Sequence, residues 1–79
     1  MLSHDMHQEF PNLAEKIDAL ARTNSHFSHL YDQYNGLDAE IIKVEEDGTP
    51  MDDFSFENLK KKRLRLKDEL YQILKEAHP

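Results

Sequence analysis

The chain has 79 residues and a formal net charge of −6 at neutral pH, which sets an upper limit of one small, acidic domain. It has no cysteine, so disulfides and thiolate metal sites are excluded, and its apolar runs are far shorter than the roughly 20 residues of a membrane span. The first ten residues carry acids and neither Lys nor Arg, unlike a targeting peptide, so we expect one cytoplasmic domain, residues 1–79.

The N-terminal third predicts one short helix. Residues 1–9 show no periodicity and are expected to be frayed. Leu13, Ile17 and Leu20 then mark one face of a helix over residues 12–21, with Asn12 as its N-cap. Because a helix of this length is unstable alone, it must dock on another part of the chain or on a partner.

The second predicted helix covers residues 25–46. Thr23, Asn24 and Ser25 interrupt the preceding pattern and favour a new N-cap. Gly36 lies inside this helix, where it is either tolerated or marks a close approach of another segment. The helix is expected to end at residues 47–50, since glycine supplies a left-handed turn and proline cannot continue a helix.

The third predicted helix covers residues 53–77. Thr49 could cap it with Pro50 in the first position, or Asp52 and Asp53 could cap it slightly later. We favour the later start because the apolar pattern begins only at Phe56.

The two long helices carry matching apolar series. Each series alternates steps of three and four residues, which is typical of packed helices, and opposite positions add up to 100 when one series is read backward. This register predicts an all-α fold, an antiparallel, coiled-coil-like helical hairpin with a short additional N-terminal helix. The series, called the seam below, consists of Phe27, Leu30, Tyr34, Leu37, Ile41 and Val44, followed by Phe56, Leu59, Arg63, Leu66, Leu70, Ile73 and Ala77.

Several stretches in these helices resemble the YdcH-like family of small bacterial helical hairpins. The matching stretches are residues 24–27, 34–41 and 59–70, and they include the pieces Leu37-Asp38-Ala39-Glu40-Ile41 and Leu66-Lys67-Asp68-Glu69-Leu70. The family usually has a bulkier or charged residue where this chain has Gly36. The resemblance implies a helical hairpin and implies no activity, since the family has no established function.

A basic run in the third helix has two interpretations. It holds six of the ten cations, and one interpretation is binding to nucleic acid, ribosomes or another anionic partner. The favoured interpretation is pairing with Asp32, Asp38, Glu40 and Glu45 across the hairpin, because the net negative charge opposes phosphate binding. The run comprises Lys60, Lys61, Lys62, Arg63, Arg65 and Lys67.

Arg63 is the one charged residue of the seam. Its guanidinium must extend to water or reach a carboxylate, and Asp38 is the nearest candidate. We expect this pair to fix the register, with a binding role as the alternative. If Arg63 lies in an apolar seam, leucine at this position should be neutral or stabilising.

No constellation for catalysis, metal or cofactor binding appears. His4/His7 and His26/His29 are spaced three apart, but no third ligand completes a zinc motif, so we interpret them as solvated. The acids lie on expected exposed faces, without a pocket that would adjust the pKa of one for catalysis. The sequence therefore predicts neither an enzyme nor a cofactor, and indicates no small-molecule substrate.

Apolar residues outside the seam suggest a partner surface. Leu64, Tyr71 and Leu74 form a second stripe on the third helix, which either the N-terminal helix or a partner could cover. The leading hypothesis is a non-catalytic helical interaction module that binds itself or another protein. The candidate surface consists of Tyr31, Ile42, Leu64, Tyr71 and Leu74.

Overall fold

The computed structural model describes residues 5–77, and all regular structure in this range is helical. The elements are α1 (Met6–Glu9), a 3-10 turn (Pro11–Leu13), α2 (Ala14–Thr23), α3 (Ser25–Asp47) and α4 (Asp53–Glu76). Helices α3 and α4 form the antiparallel hairpin, and α2 packs on α3. The predicted fold class, an all-α helical hairpin with additional N-terminal helical structure, is confirmed. Between residues 5 and 77, no helix combines the length and apolar character that a membrane crossing requires.

The chain is ordered earlier than the sequence predicts. Asp5 caps α1, since its Oδ1 accepts a hydrogen bond of 2.8 Å from the backbone N–H of His7. Met6 is fully buried although it belongs to the stretch expected to be frayed. The prediction of a frayed N-terminus is therefore wrong for residues 5–9. Contacts with distant residues stabilise a helix here that is too short to show periodicity. Residues 1–4 lie outside the described range.

The predicted cap of the next helix is also wrong. Pro11 starts the 3-10 turn, so Asn12 already lies within helical structure and cannot act as an N-cap. Leu13 occupies the N-cap position of α2 and makes no side-chain capping bond. Phe10, directly before Pro11, adopts a non-helical conformation, as the proline ring requires.

Asn24 joins α2 to α3 and caps both helices. Its backbone N–H donates to the carbonyl of Leu20, at 2.9 Å, and closes α2. Its side-chain Oδ1 accepts from the N–H of Phe27, at 3.0 Å, and opens α3. Because the backbone of Asn24 is extended, the chain bends here, and α2 can pack back on α3.

The turn between the long helices depends on two residues. Gly48 ends α3 in the left-handed conformation, with φ of 67°, which an L side chain rarely adopts. Asp52 caps α4 by accepting from the N–H of Ser55 at 3.0 Å. Helix α4 thus begins at the later of the two starts that the sequence allows.

The core consists mainly of seam residues. From α3 they are Phe27, Leu30, Tyr34, Leu37 and Ile41, and from α4 they are Leu66 and Leu70. Met6 and Ile17 come from the N-terminal elements, and Leu74 joins them from outside the seam. The short helices therefore pack on their own hairpin, at the end opposite the turn, which is called the open end below.

Candidate interaction surface

The N-terminal segment (residues 5–13) covers the open end of the hairpin. The ring of Phe10 stacks on Tyr71, with centroids 4.9 Å apart and planes at 12°. Glu9 lies beside the ammonium of Lys67, with Oε1 and Nζ 3.7 Å apart. One face of α4 thus receives an aromatic ring and a carboxylate from this segment.

His7 connects the N-terminal segment to α2, since its ring lies between the carboxylates of Asp5 in the segment and Asp18 in α2. Its Nε2 lies 2.7 Å from Asp18 Oδ1 and its Nδ1 lies 3.1 Å from Asp5 Oδ1. The hydrogen bond to Asp18 is the main reason that the pKa of His7 is raised above its ordinary value of 6.5. The Tyr31 hydroxyl lies 3.5 Å from Nδ1 as well. The interpretation of His7 as a solvated tail residue is therefore wrong. Its contact with Asp18 could not be predicted, because no regular spacing in the sequence relates the two residues. His4 lies outside the described residues.

The apolar candidates do not form one open stripe. Leu74 is fully buried, so it is not available to a partner. It shares one core cluster with Ile17 of α2, in agreement with the alternative that the N-terminal helix covers this end of the stripe. Tyr31 and Ile42 are partly buried, and Tyr71 is 38% exposed beneath Phe10. Leu64 is 54% exposed, which makes it the most exposed residue of the predicted set.

Arg63 and Asp38 meet inside the hairpin. Arg63 Nη1 donates to Asp38 Oδ1 at 2.8 Å, and the two side chains are only 12% and 8% exposed. The burial of Asp38 was not predicted, because its position is outside the apolar series. With both charges mostly removed from water, the pair is a structural element of the core.

The other cations of the basic run do not pair as predicted. Lys60 bonds to Glu57 on its own helix at 2.9 Å, and Lys67 approaches Glu9 of the N-terminal segment. No ion pair within residues 5–77 involves Lys61, Lys62 or Arg65, which are exposed, or the expected acids Asp32, Glu40 and Glu45. The prediction of pairing across α3 and α4 therefore holds for Arg63 alone among the described ion pairs.

A small groove of about 110 Å³ lies beside Leu64, toward the turn from the N-terminal segment. The described residues that line it, Tyr34, Lys60, Arg63, Leu64 and Lys67, all belong to α3 and α4. Burial is the main cause of the raised pKa of Tyr34, so its hydroxyl stays protonated at neutral pH. Arg63 and Lys67 are already beside carboxylates, and the groove therefore has no surplus of unpaired charge.

The histidines and carboxylates of the described part of the chain do not assemble a metal site. No group of three or more His, Asp or Glu side chains between residues 5 and 77 is arranged to hold a metal ion. His26 and His29 are exposed on α3. The larger grooves, near Met51 and along α2, are open and lined by apolar stems and scattered polar groups.

Comparisons with known proteins identify the family of the chain. The family described as "Protein of unknown function (DUF465)" matches residues 27–74, which contain most of the hairpin. The chain belongs to this family. It is 34% identical to the "Uncharacterized protein YdcH" of Escherichia coli (strain K12) over 67 residues, which are 85% of this chain and 90% of that protein. The protein with the same description from Shigella flexneri gives the same values. No solved structure matches the chain.

Proposed function

We propose that the chain is a non-catalytic helical interaction module, and that its binding surface is centred on Leu64. This surface, called the Leu64 surface below, consists of Lys60, Lys61 and Leu64 on α4. The module binds a protein by apolar contact at Leu64, with the flanking ammonium groups orienting the partner.

The comparison of two successive heptads on α4 carries this proposal. Lys67 and Tyr71 receive Glu9 and Phe10 from the N-terminal segment. Seven residues earlier, Lys60 and Leu64 repeat the pattern of a lysine followed four residues later by a large apolar side chain. Leu64 is 54% exposed, so the contact that the molecule completes for itself at the open end is incomplete here.

Substitution of Leu64 tests the proposal directly. The parent and a Leu64→Asp variant are compared by sedimentation equilibrium and by capture of binding proteins from native lysate. Gln33→Asp is the matched control, because it adds the same charge at an exposed α3 position that lines a groove with Lys62. Lys62 projects from α4 about 200° from Leu64, so the control leaves the Leu64 surface unchanged.

We expect the parent and the control to associate with the same species, either the chain itself or another protein, and Leu64→Asp to lose that association. The proposal is wrong if Leu64→Asp binds as the parent does. It is also wrong if the parent is strictly monomeric at every concentration and captures nothing.

Nucleic-acid binding is the second candidate function. It is favoured by Lys61, Lys62 and Arg65, which are exposed and make no ion pair with residues 5–77. Three phosphate contacts would make the logarithm of the association constant fall with the logarithm of the salt concentration at a slope of roughly −2 to −3. Lack of RNA and duplex DNA binding at low salt would eliminate this candidate, and the net charge of −6 opposes it.

A further inference from the structure

We propose that the partner at the Leu64 surface is a second copy of this chain, with the two α4 helices packed antiparallel through their outer faces about a two-fold axis. This inference rests on the proposed function and names the partner of the same surface. It places Phe54 of each copy on Leu64 of the other, and Glu57 of each copy beside Lys61 of the other.

The outer face of α4 carries the required apolar residues. Phe54 and Leu64 are 76% and 54% exposed, and Phe54 is the most exposed large hydrophobic residue of the described chain. Residues 54, 57, 61 and 64 follow steps of three, four and three, so they share one face of the helix. Lys61 lies about 160° around the helix from the seam residue Leu59, and this face therefore points away from α3.

The order of the four residues makes the face complementary to itself when it is reversed. An antiparallel copy with residue 54 opposite residue 64 also places residue 57 opposite residue 61. Each of these two pairs joins either two apolar side chains or two opposite charges. A two-fold axis generates both pairs twice, as in a symmetric dimer of identical chains.

The charges also exclude the parallel alternative. In parallel register, Glu57 would face Glu57 and Lys61 would face Lys61, which places like charges together. Both side chains are accessible for pairing, since Glu57 is 59% exposed and Lys61 is exposed without an ion pair in the described residues. The bond between Lys60 and Glu57 lies on the helix surface and leaves carboxylate lone pairs for a second ammonium.

The size of the face indicates a reversible dimer. From residue 54 to residue 64 the helix rises only about 15 Å, so the contact is smaller than that of a permanent dimer. Association should therefore depend on concentration, and it should weaken as salt screens the two Glu57–Lys61 contacts.

Charge reversal in both partners provides the test. In the Lys61→Glu homodimer, a carboxylate faces Glu57 at each of the two symmetry-related contacts. In the Glu57→Lys homodimer, an ammonium group faces Lys61 at each of these contacts. Each single variant should lose about tenfold or more in the association constant measured by sedimentation equilibrium. An equimolar mixture of the two variants should recover association close to that of the parent, because every contact in the mixed dimer is again attractive.

The double variant Glu57→Lys/Lys61→Glu is the matched control, since its homodimer also restores both contacts. Circular dichroism checks that each variant remains helical, and the recovery in the mixture excludes misfolding as the cause of lost association. Suppose that Leu64→Asp loses association. If both charge variants then associate as the parent does, or if their mixture does not recover association, the antiparallel dimer is wrong and the proposed function stands. If the parent is monomeric but captures another protein through Leu64, the second copy is likewise the wrong partner. If Leu64→Asp also changes nothing, both proposals fail.

Discussion

His7 shows how single side chains hold the N-terminal segment. A protonated imidazole can donate to Asp18 and Asp5 at once, and this raises its pKa above 6.5. Because the pKa is raised in the folded state, the stabilisation is fully present below the unfolded value and is lost as the pH rises through the folded value. The segment should thus be held most tightly in mildly acidic solution.

Titration of His7 by NMR tests this account. We expect its pKa to exceed 6.5 in the parent and to fall in Asp18→Asn, because the principal cause of the shift is removed. Asp32→Asn is the control, since Asp32 is an exposed acid on α3 that does not bond to His7. Equal pKa values for His7 in the parent and in Asp18→Asn would contradict the role assigned to this contact.

The buried position of Asp38 reverses the sequence-based prediction for Arg63. Replacement of Arg63 by leucine was expected to be neutral or stabilising, because it replaces a cation in an apolar seam with a well-packed side chain. Instead, the Arg63 guanidinium balances the negative charge of Asp38, whose side chain is only 8% exposed. We now expect Arg63→Leu to lower the free energy of unfolding by about 3 kcal/mol, at the low end for breaking a buried ion pair.

Urea unfolding of three variants checks this prediction. Arg63→Leu and Asp38→Leu should each be destabilised, whereas Arg63→Leu/Asp38→Leu should regain much of the loss because no charge then remains uncompensated at this site. Additive losses in the double variant would show that the two residues do not act as a pair.

At the scale of elements, Gly36 and Gly48 have opposite roles. A Cβ at Gly36 would contact nothing within 4 Å, so no other segment approaches it, and the residue is merely tolerated in α3. Gly36→Ala should raise the free energy of unfolding by about 0.5–1 kcal/mol through helix propensity. Gly48→Ala should lower it by about 1 kcal/mol, because Gly48 ends α3 with a positive φ.

Thermal unfolding of the two alanine variants gives a direct comparison, since the chemical change is the same. A lower melting temperature for Gly36→Ala than for the parent would show that the middle of α3 requires glycine. This would favour the close-approach interpretation, which the structure does not support.

The elements differ in how far the sequence predicts them. The seam of α3 and α4 was predictable because its residues repeat with the helical period from residue 27 to 44 in α3 and from residue 56 to 73 in α4. Helix α1 has four residues, too few for periodicity, and depends on contacts between His7 and Asp18 and between Phe10 and Tyr71. These contacts join distant positions and leave no spacing in the sequence. The burial of Leu74 in one core cluster with Met6 and Ile17 was not predicted for the same reason, since these residues are far apart in the sequence.

At the scale of the whole molecule, two leucines of α4 separate core from surface. Leu70 is fully buried and Leu64 is 54% exposed, although they lie six residues apart. Leu70→Ala should cost about 2–5 kcal/mol, a large part of the stability of so small a domain. Leu64→Ala should change stability by less than about 0.5 kcal/mol in dilute solution.

Melting curves at low protein concentration test this difference without interference from association. Comparable losses in the two variants would mean that Leu64 is part of the core, and the Leu64 surface would then not exist as described. If neither Leu70→Ala nor Leu64→Ala lowered the melting temperature, the core would lie on another face of α4.

The central claim is that α4 binds a second copy through its outer face near the turn. The most direct measurement is a dilution series of amide NMR spectra from millimolar to micromolar protein. We predict concentration-dependent shifts that centre on residues 54–64 and leave α2 unchanged, since α2 packs at the open end. Spectra that do not change with concentration, or shifts centred on α2, would contradict the claim.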